Sequence, residues 1–99
     1  MKLIPKSINV PSLGDTESID DPDVLIKFFH PCSSWTWYVT EYSEEDNLCF
    51  GLIDGHEIEL GYFSMDELSS LKVRGLPIER DLYWKPMKLS ELKERLKNR

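Results

Sequence analysis

Along this chain, short runs of β-forming residues are followed by two stretches with helical spacing. Val24-Leu25-Ile26-Lys27-Phe28-Phe29 is β-branched and aromatic and is closed by His30-Pro31, which reads as a strand ending at a proline. Trp35-Thr36-Trp37-Tyr38-Val39-Thr40-Glu41-Tyr42 is a second strand. After the polar turn Ser43-Glu44-Glu45-Asp46-Asn47, Leu48-Cys49-Phe50-Gly51-Leu52-Ile53 is a third. Asp54-Gly55 is a hairpin signal, and His56-Glu57-Ile58-Glu59-Leu60-Gly61-Tyr62-Phe63 alternates as a half-buried strand should. Consecutive strands on short loops imply an antiparallel meander, because parallel pairing needs long crossovers.

Ser64-Met65-Asp66-Glu67 then opens a helix with a capping box, in which Ser64 accepts from the amide near Glu67 and the Glu67 carboxylate reaches back. Met65, Leu68 and either Leu71 or Lys72 supply its buried side, and Gly75 its stop. Residues 76–86 read as extended or looped, with a short strand at Leu82 to Trp84. From Leu89 the spacing predicts a second helix, with Leu89, Leu92 and Leu96 on one face and a favourable Glu91–Arg95 pair. The predicted fold is α+β: an antiparallel meander of about four strands over residues 23–63, with two short helices packed on one face. An N-terminal arm and acidic loop (1–22) precede it. A helix, loop and C-terminal helix (64–99) follow, all within a single domain.

Strand parity predicts which face is core. Trp35, Trp37 and Val39 oppose Thr36, Tyr38, Thr40 and Tyr42; in the last strand Ile58 and Leu60 oppose Glu57 and Glu59. A sheet covered on one side buries one face well. The expectation is that Trp35, Trp37, Val39, Ile58 and Leu60 meet the helices. Tyr38 and Tyr42 would then lie on a solvated face with Glu57 and Glu59, or beneath the N-terminal segment.

Composition bounds the function. Ninety-nine residues make one domain able to fold without metals or disulfides. The net charge of −6 is ordinary, but its distribution is not. Between Lys27 and Lys72 there is no Lys or Arg and there are nine carboxylates, threaded through aromatic residues. From Lys72 onward, nine basic residues stand against four acidic ones. Pro5 and Pro11 interrupt the N-terminal apolar residues, so neither a secretory signal nor a membrane span is expected. Cytoplasmic localisation follows as an expectation. Cys32 and Cys49 then read as free thiols, with a bridge between them as the alternative in an oxidising compartment.

Candidate chemistry is sparse. His30, Cys32, Cys49 and His56 lack the two close pairs that zinc sites favour. Cys32 with His30 lacks an orienting third group for nucleophilic catalysis. Glu57 and Glu59 stand roughly 6–7 Å apart along a strand, near hydrolase distances, but acidic alternation on an exposed strand is commoner. The five glycines form no phosphate-binding loop. No catalytic residue, cofactor or metal is therefore expected. In Glu79-Arg80-Asp81, Arg80 suits a bidentate carboxylate pair that would pin the tail to the acidic sheet. Because Glu91 and Glu94 interleave the basic tail, direct nucleic-acid binding is not expected.

The strings Lys27-Phe28-Phe29-His30-Pro31, Ser34-Trp35-Thr36-Trp37-Tyr38-Val39-Thr40-Glu41, Glu59-Leu60-Gly61-Tyr62-Phe63-Ser64 and Gly75-Leu76-Pro77-Ile78-Glu79-Arg80-Asp81-Leu82-Tyr83-Trp84 resemble a small bacterial family, domain of unknown function 2958. The resemblance spans roughly residues 10 to 95. It implies an accessory or host-interaction protein of a mobile genetic element, and it assigns no catalytic residue. Pro5 and Pro11 shorten the helix that the resemblance implies for the arm.

These readings converge on a non-catalytic protein-interaction module that engages a basic groove of a host protein, as an inhibitor would. Glu41, Glu44, Glu45, Asp46, Glu57 and Glu59 would supply charge, and Tyr38, Tyr42 and Trp84 contact area, with Arg80 and Lys85 beside them. The alternatives are a small-ligand binder or enzyme built on the Glu79-Arg80-Asp81 loop with His30, and a structural subunit of a homo-oligomer.

Overall fold

The computed structural model describes residues 3–99, so Met1 and Lys2 of the expected arm lie outside the described residues. The elements in chain order are β1 (Asp23–Val24), β2 (Ile26–Phe29), β3 (Thr36–Ser43), β4 (Leu48–Asp54), β5 (Ile58–Ser64), α1 (Met65–Ser70), β6 (Lys72–Val73), β7 (Leu76–Pro77), β8 (Glu79–Arg80), β9 (Met87–Lys88) and α2 (Leu89–Lys97). A five-stranded sheet runs in the order β5-β4-β3-β2-β8, antiparallel throughout. The chain is thus an α+β fold with the expected meander. β8 adds a fifth strand, and β1–β9 and β6–β7 form two small ribbons.

The helices do not share a face. Met65 and Leu68 of α1 join Ile26, Phe28, Trp37, Val39, Cys49, Phe63 and Ile78 in one core cluster. Leu89 and Leu92 of α2 pack with Val24, Tyr38 and Leu52 in another. Trp37 and Tyr38 are neighbours in β3 and so point to opposite sides. The sheet is therefore covered on both faces, one helix to each. The expected one-sided layer fails because both parities of β3 are apolar enough to bury: Trp37, Tyr38, Val39, Thr40 and Glu41 are all buried.

A β-bulge sets the faces. Val39 pairs with Gly51 and Glu41 with Phe50, leaving Thr40 as the extra residue, its hydroxyl donating to the Phe50 carbonyl at 3.0 Å. Tyr38 lies opposite Leu52 on the α2 face, whereas Tyr42, after the bulge, lies opposite Cys49 on the α1 face. The two tyrosines expected side by side are thus separated. β3 and β4 approach so closely there that a Cβ on Gly51 would sit 1.8 Å from the Tyr38 carbonyl oxygen. Register also corrects the core expectation for β5. Leu60 pairs with Leu52 and Ile58 with Asp54, so both lie on the Tyr38 face, and beyond the reach of α2 they are exposed.

Ser64 Oγ accepts from the Glu67 amide at 3.2 Å, as a helix cap should. α1 nevertheless stops at Ser70, not near Gly75, and Leu71 and Lys72 are exposed. Arg74 (φ 55°) and Gly75 (φ 79°) instead form the two-residue turn of the β6–β7 hairpin, where two successive left-handed residues match strand twist. Leu82 to Trp84 is not a strand; the pairing segments are β8 before it and β9 after it. The arm over residues 3–10 contains turns and no helix.

Two cross-chain latches fix the acidic loop. Asp21 accepts from the Ser90 amide (2.9 Å) and hydroxyl (2.6 Å), capping α2 from outside its own segment. Glu41 accepts from the Gly14 amide (2.9 Å), the Thr16 amide (2.8 Å) and the Thr16 hydroxyl. Among the described residues, no helix is long and apolar enough to cross a membrane.

Candidate partner-binding groove

The residues proposed from sequence as one acidic surface separate into three groups. Glu44, Glu45 and Asp46 are exposed on the β3–β4 turn. Glu57 and Glu59 are exposed at the other end of the β4–β5 hairpin, roughly 20 Å away by the rise of a seven-residue strand. Glu41, only 3% exposed, is buried beneath the acidic loop. Burial alone would raise the Glu41 carboxyl, but the hydrogen bonds from Thr16 and Gly14 outweigh it and hold it below the ordinary glutamate value. Glu41 is therefore held as a structural anchor beneath that loop.

Tyr38 and Trp84 also pack against each other. Tyr38 is 4% exposed; burial, reinforced by nearby Asp54, raises its phenol above the ordinary value. Trp84 is half-buried against it, with ring centroids 5.5 Å apart, and its indole Nε1 donates to the Val24 carbonyl at 3.1 Å. Lys27 Nζ lies 5.9 Å from the centre of the Trp84 ring, extending the stack. Trp84 thus fastens the 81–86 segment over β1.

Arg80 does not pin the tail. It pairs with Phe28 in β8, and its Nε is buried with no acceptor among the described residues. That role falls to Arg99, whose guanidinium contacts both oxygens of buried Asp54 at 2.5 and 3.0 Å. Sequence reasoning took Asp54 for a turn residue; the turn is longer, with Asp54 paired to Ile58 across Gly55, His56 and Glu57. Asp81 is likewise structural, its amide donating to the Lys27 carbonyl at 2.9 Å and its carboxylate 3.7 Å from Lys27 Nζ.

The candidate metal ligands lie in different settings. His30 is buried, its Nδ1 accepting from the Cys32 amide at 2.9 Å, so Nε2–H donates to the Leu76 carbonyl at 2.8 Å. His56 stands edge-on to Trp35. Cys32 is exposed and free; Cys49 is buried and free, and burial pushes its thiol up to about 12, which suppresses the thiolate a nucleophile needs. Among the described residues, no three His, Cys, Asp or Glu gather as a metal site.

What remains is a groove of about 910 Å³ between the arm and the β3–β4 turn. Leu3, Ile4, Ile8, Val10 and Met65 supply its apolar side chains and Glu44, Glu45 and Asp46 its carboxylates, while Tyr42 and Lys6 also line it. Its geometry is fixed by Asn47, which adopts φ 51°, a conformation asparagine tolerates better than most residues. The Asn47 carbonyl accepts from the Met65 amide (2.9 Å), its side-chain amide donates to Asp66 (2.7 Å), and its side-chain oxygen accepts from the Tyr42 hydroxyl (3.2 Å). The Tyr42 amide donates to the Pro11 carbonyl at 2.9 Å, which fastens the arm alongside. No ion pair reaches Glu44, Glu45 or Asp46 among the described residues. The apolar positions of the arm, spaced around Pro5 and ending at Pro11, were the sequence signal for the floor, although nothing in them reveals the strand they pack beside.

The antiparallel five-stranded sheet, with one short helix on each face and an arm-walled groove at one end, defines a small α+β domain. A family model described as protein of unknown function (DUF2958) matches residues 7–96, and the chain belongs to that family. No curated protein matches it, and no solved structure does.

Proposed function

We propose that this protein is a non-catalytic interaction module that takes a basic, partly apolar segment of a partner protein into the arm-walled groove. The observation that carries the reading is a mixed groove in which apolar side chains of the arm lie beside three adjacent carboxylates that form no ion pair among the described residues. An apolar floor supplies affinity through burial, and Glu44, Glu45 and Asp46 supply orientation and a faster encounter with cationic side chains. Tyr42 contributes a flat contact at low entropy cost. The volume is in the range that small-molecule sites also use, and a groove lined by residues of the arm, the β3–β4 turn and α1 also suits a peptide segment.

The sequence resemblance supports making such a module an accessory protein of a bacterial mobile genetic element; its cytoplasmic placement rests on the two free cysteines, and its basic target on the carboxylates. The ligand-binding alternative at Glu79-Arg80-Asp81 has less support, because Asp81 is engaged with Lys27 and neither this groove nor the smaller one beside Leu60 is lined by Arg80 or His30.

Affinity capture from host lysate tests the proposal, using the wild-type protein beside a Glu44→Gln/Glu45→Gln/Asp46→Asn variant. A specific partner should be retained by the first and lost by the second, and lost also as salt rises from about 50 to about 200 mM. Retention by both proteins at both salt concentrations would refute the groove as the docking site.

A further inference from the structure

The free edge of the five-stranded sheet carries a surface independent of that groove. β5 is an edge strand, so half of its backbone groups have no partner in the sheet. The flanking hydrogen bonds identify which half. Met65 N–H donates to the Asn47 carbonyl, and Gly55 N–H to the Glu57 carbonyl, each one residue outside a register pair. Leu48↔Ser64 and Asp54↔Ile58 are therefore non-hydrogen-bonded pairs, and alternation makes Phe50↔Tyr62 and Leu52↔Leu60 the same. Hence the amides and carbonyls of Ile58, Leu60 and Tyr62 point away from β4, toward the open edge. Their side chains share one face and are 42%, 45% and 60% exposed.

We propose that β5 is a homodimerisation edge, pairing antiparallel with β5 of a second copy of this chain about a two-fold axis at Leu60. In that register Leu60 meets Leu60, and Ile58 meets Tyr62 twice. The outward backbone groups of all three residues then pair, making six hydrogen bonds and a continuous ten-stranded sheet. One face gains an unbroken apolar stripe from Ile58, Leu60 and Tyr62 of both copies.

Charge disfavours one neighbouring register. On the opposite face Glu59 falls across from Gly61, so the carboxylates face glycine and not each other. A two-fold axis at Glu59 would set the two glutamates directly opposite, which is unfavourable. Gly61 has room to receive a neighbour, since the nearest atom to a Cβ built there is Ile53 Cδ1 at 3.9 Å, an ordinary contact. The isologous match of one seven-residue strand to itself is what a two-fold contact requires. Three residues a side bury little area, which puts the dimer in the weak class, and the charge of −6 on each copy opposes it.

Sedimentation of the full chain from about 1 μM to about 1 mM tests this, on the wild type and on Gly61→Lys and Gly61→Glu. Both substitutions add a side chain at the same site, so loss of glycine affects them alike; thermal unfolding confirms that each is folded. The wild type should shift from monomer to dimer across the series and more readily at high salt. Gly61→Lys, placing two cations opposite two Glu59 carboxylates, should dimerise at concentrations at least about tenfold lower than Gly61→Glu, which opposes four carboxylates. A wild type monomeric throughout would overturn the proposal, as would a dimer whose affinity is the same in the two variants. Because the groove interaction should weaken with salt while this contact strengthens, the failure of either proposal is distinguishable from that of the other.

Discussion

Glu41 and Asp21 look like ordinary members of an acidic stretch, yet each accepts hydrogen bonds that tie residues 12–22 to the rest of the fold. The Ser90 hydroxyl and amide lower the Asp21 carboxyl, and the Thr16 and Gly14 donors lower that of Glu41 despite its burial. A carboxyl depressed in the folded state adds stability above its unfolded value, about 4, and that stability is lost as pH falls through the folded value. Acid unfolding should therefore begin with release of the loop below about pH 4. Glu41→Gln, which turns an amide NH2 toward at least the Gly14 N–H, should lower stability at pH 7 by about 1–2 kcal/mol and flatten the acid limb of the pH profile, as urea unfolding at pH 7 and pH 3.5 would measure. The sequence placed Glu41 in a strand and Glu44 and Glu45 in the turn after it, yet all three counted alike as docking charges. What it did not contain is the bulge at Thr40, which turns Glu41 onto the covered α2 face.

At the scale of elements, the four long strands and α2 were legible in the sequence because β-branched and aromatic runs and the Leu89/Leu92/Leu96 spacing are local signals. Faces were not legible, since they depend on register between strands. Tyr38 and Leu60 share a face through Leu52, a relation that no single-strand pattern contains. β8 and the two ribbons were missed because two-residue pairings leave no periodicity. The face assignment predicts that Leu52→Ala costs about 2–5 kcal/mol, whereas Leu60→Ser at low protein concentration changes stability by less than about 0.5 kcal/mol. Equal losses in thermal or urea unfolding would reverse that assignment. Gly51→Ala should cost about 2 kcal/mol or more, because the Tyr38 carbonyl occupies the space a methyl group needs and the β3–β4 pairing would have to open.

For the molecule as a whole, charge segregation in the sequence became three separate arrangements. Asp54 is neutralised by Arg99 and Asp81 by Lys27, while Glu57 and Glu59 stand far from Glu44, Glu45 and Asp46. The candidate site was half legible: its acidic turn and Tyr42 were visible, but its floor comes from the arm, whose position rests on packing of Leu3, Ile4, Ile8 and Val10 against the core and on the backbone contact from Tyr42 to Pro11. A positive partner would thus meet one end of the domain and not a whole face. Neutralising Glu57 and Glu59 should leave groove binding within about twofold in a titration calorimetry comparison, since screened charges at that distance contribute little.

The most direct test is a two-dimensional amide NMR titration of the full chain with a synthetic lysine- and leucine-rich peptide at about 50 mM salt. Shifts should be confined to Ile8, Val10, Tyr42 to Asn47, Met65 and Ser69, and should vanish in the Glu44→Gln/Glu45→Gln/Asp46→Asn protein. An absence of shifts there, or shifts centred on Glu57 and Glu59 that survive the triple substitution, would contradict the account.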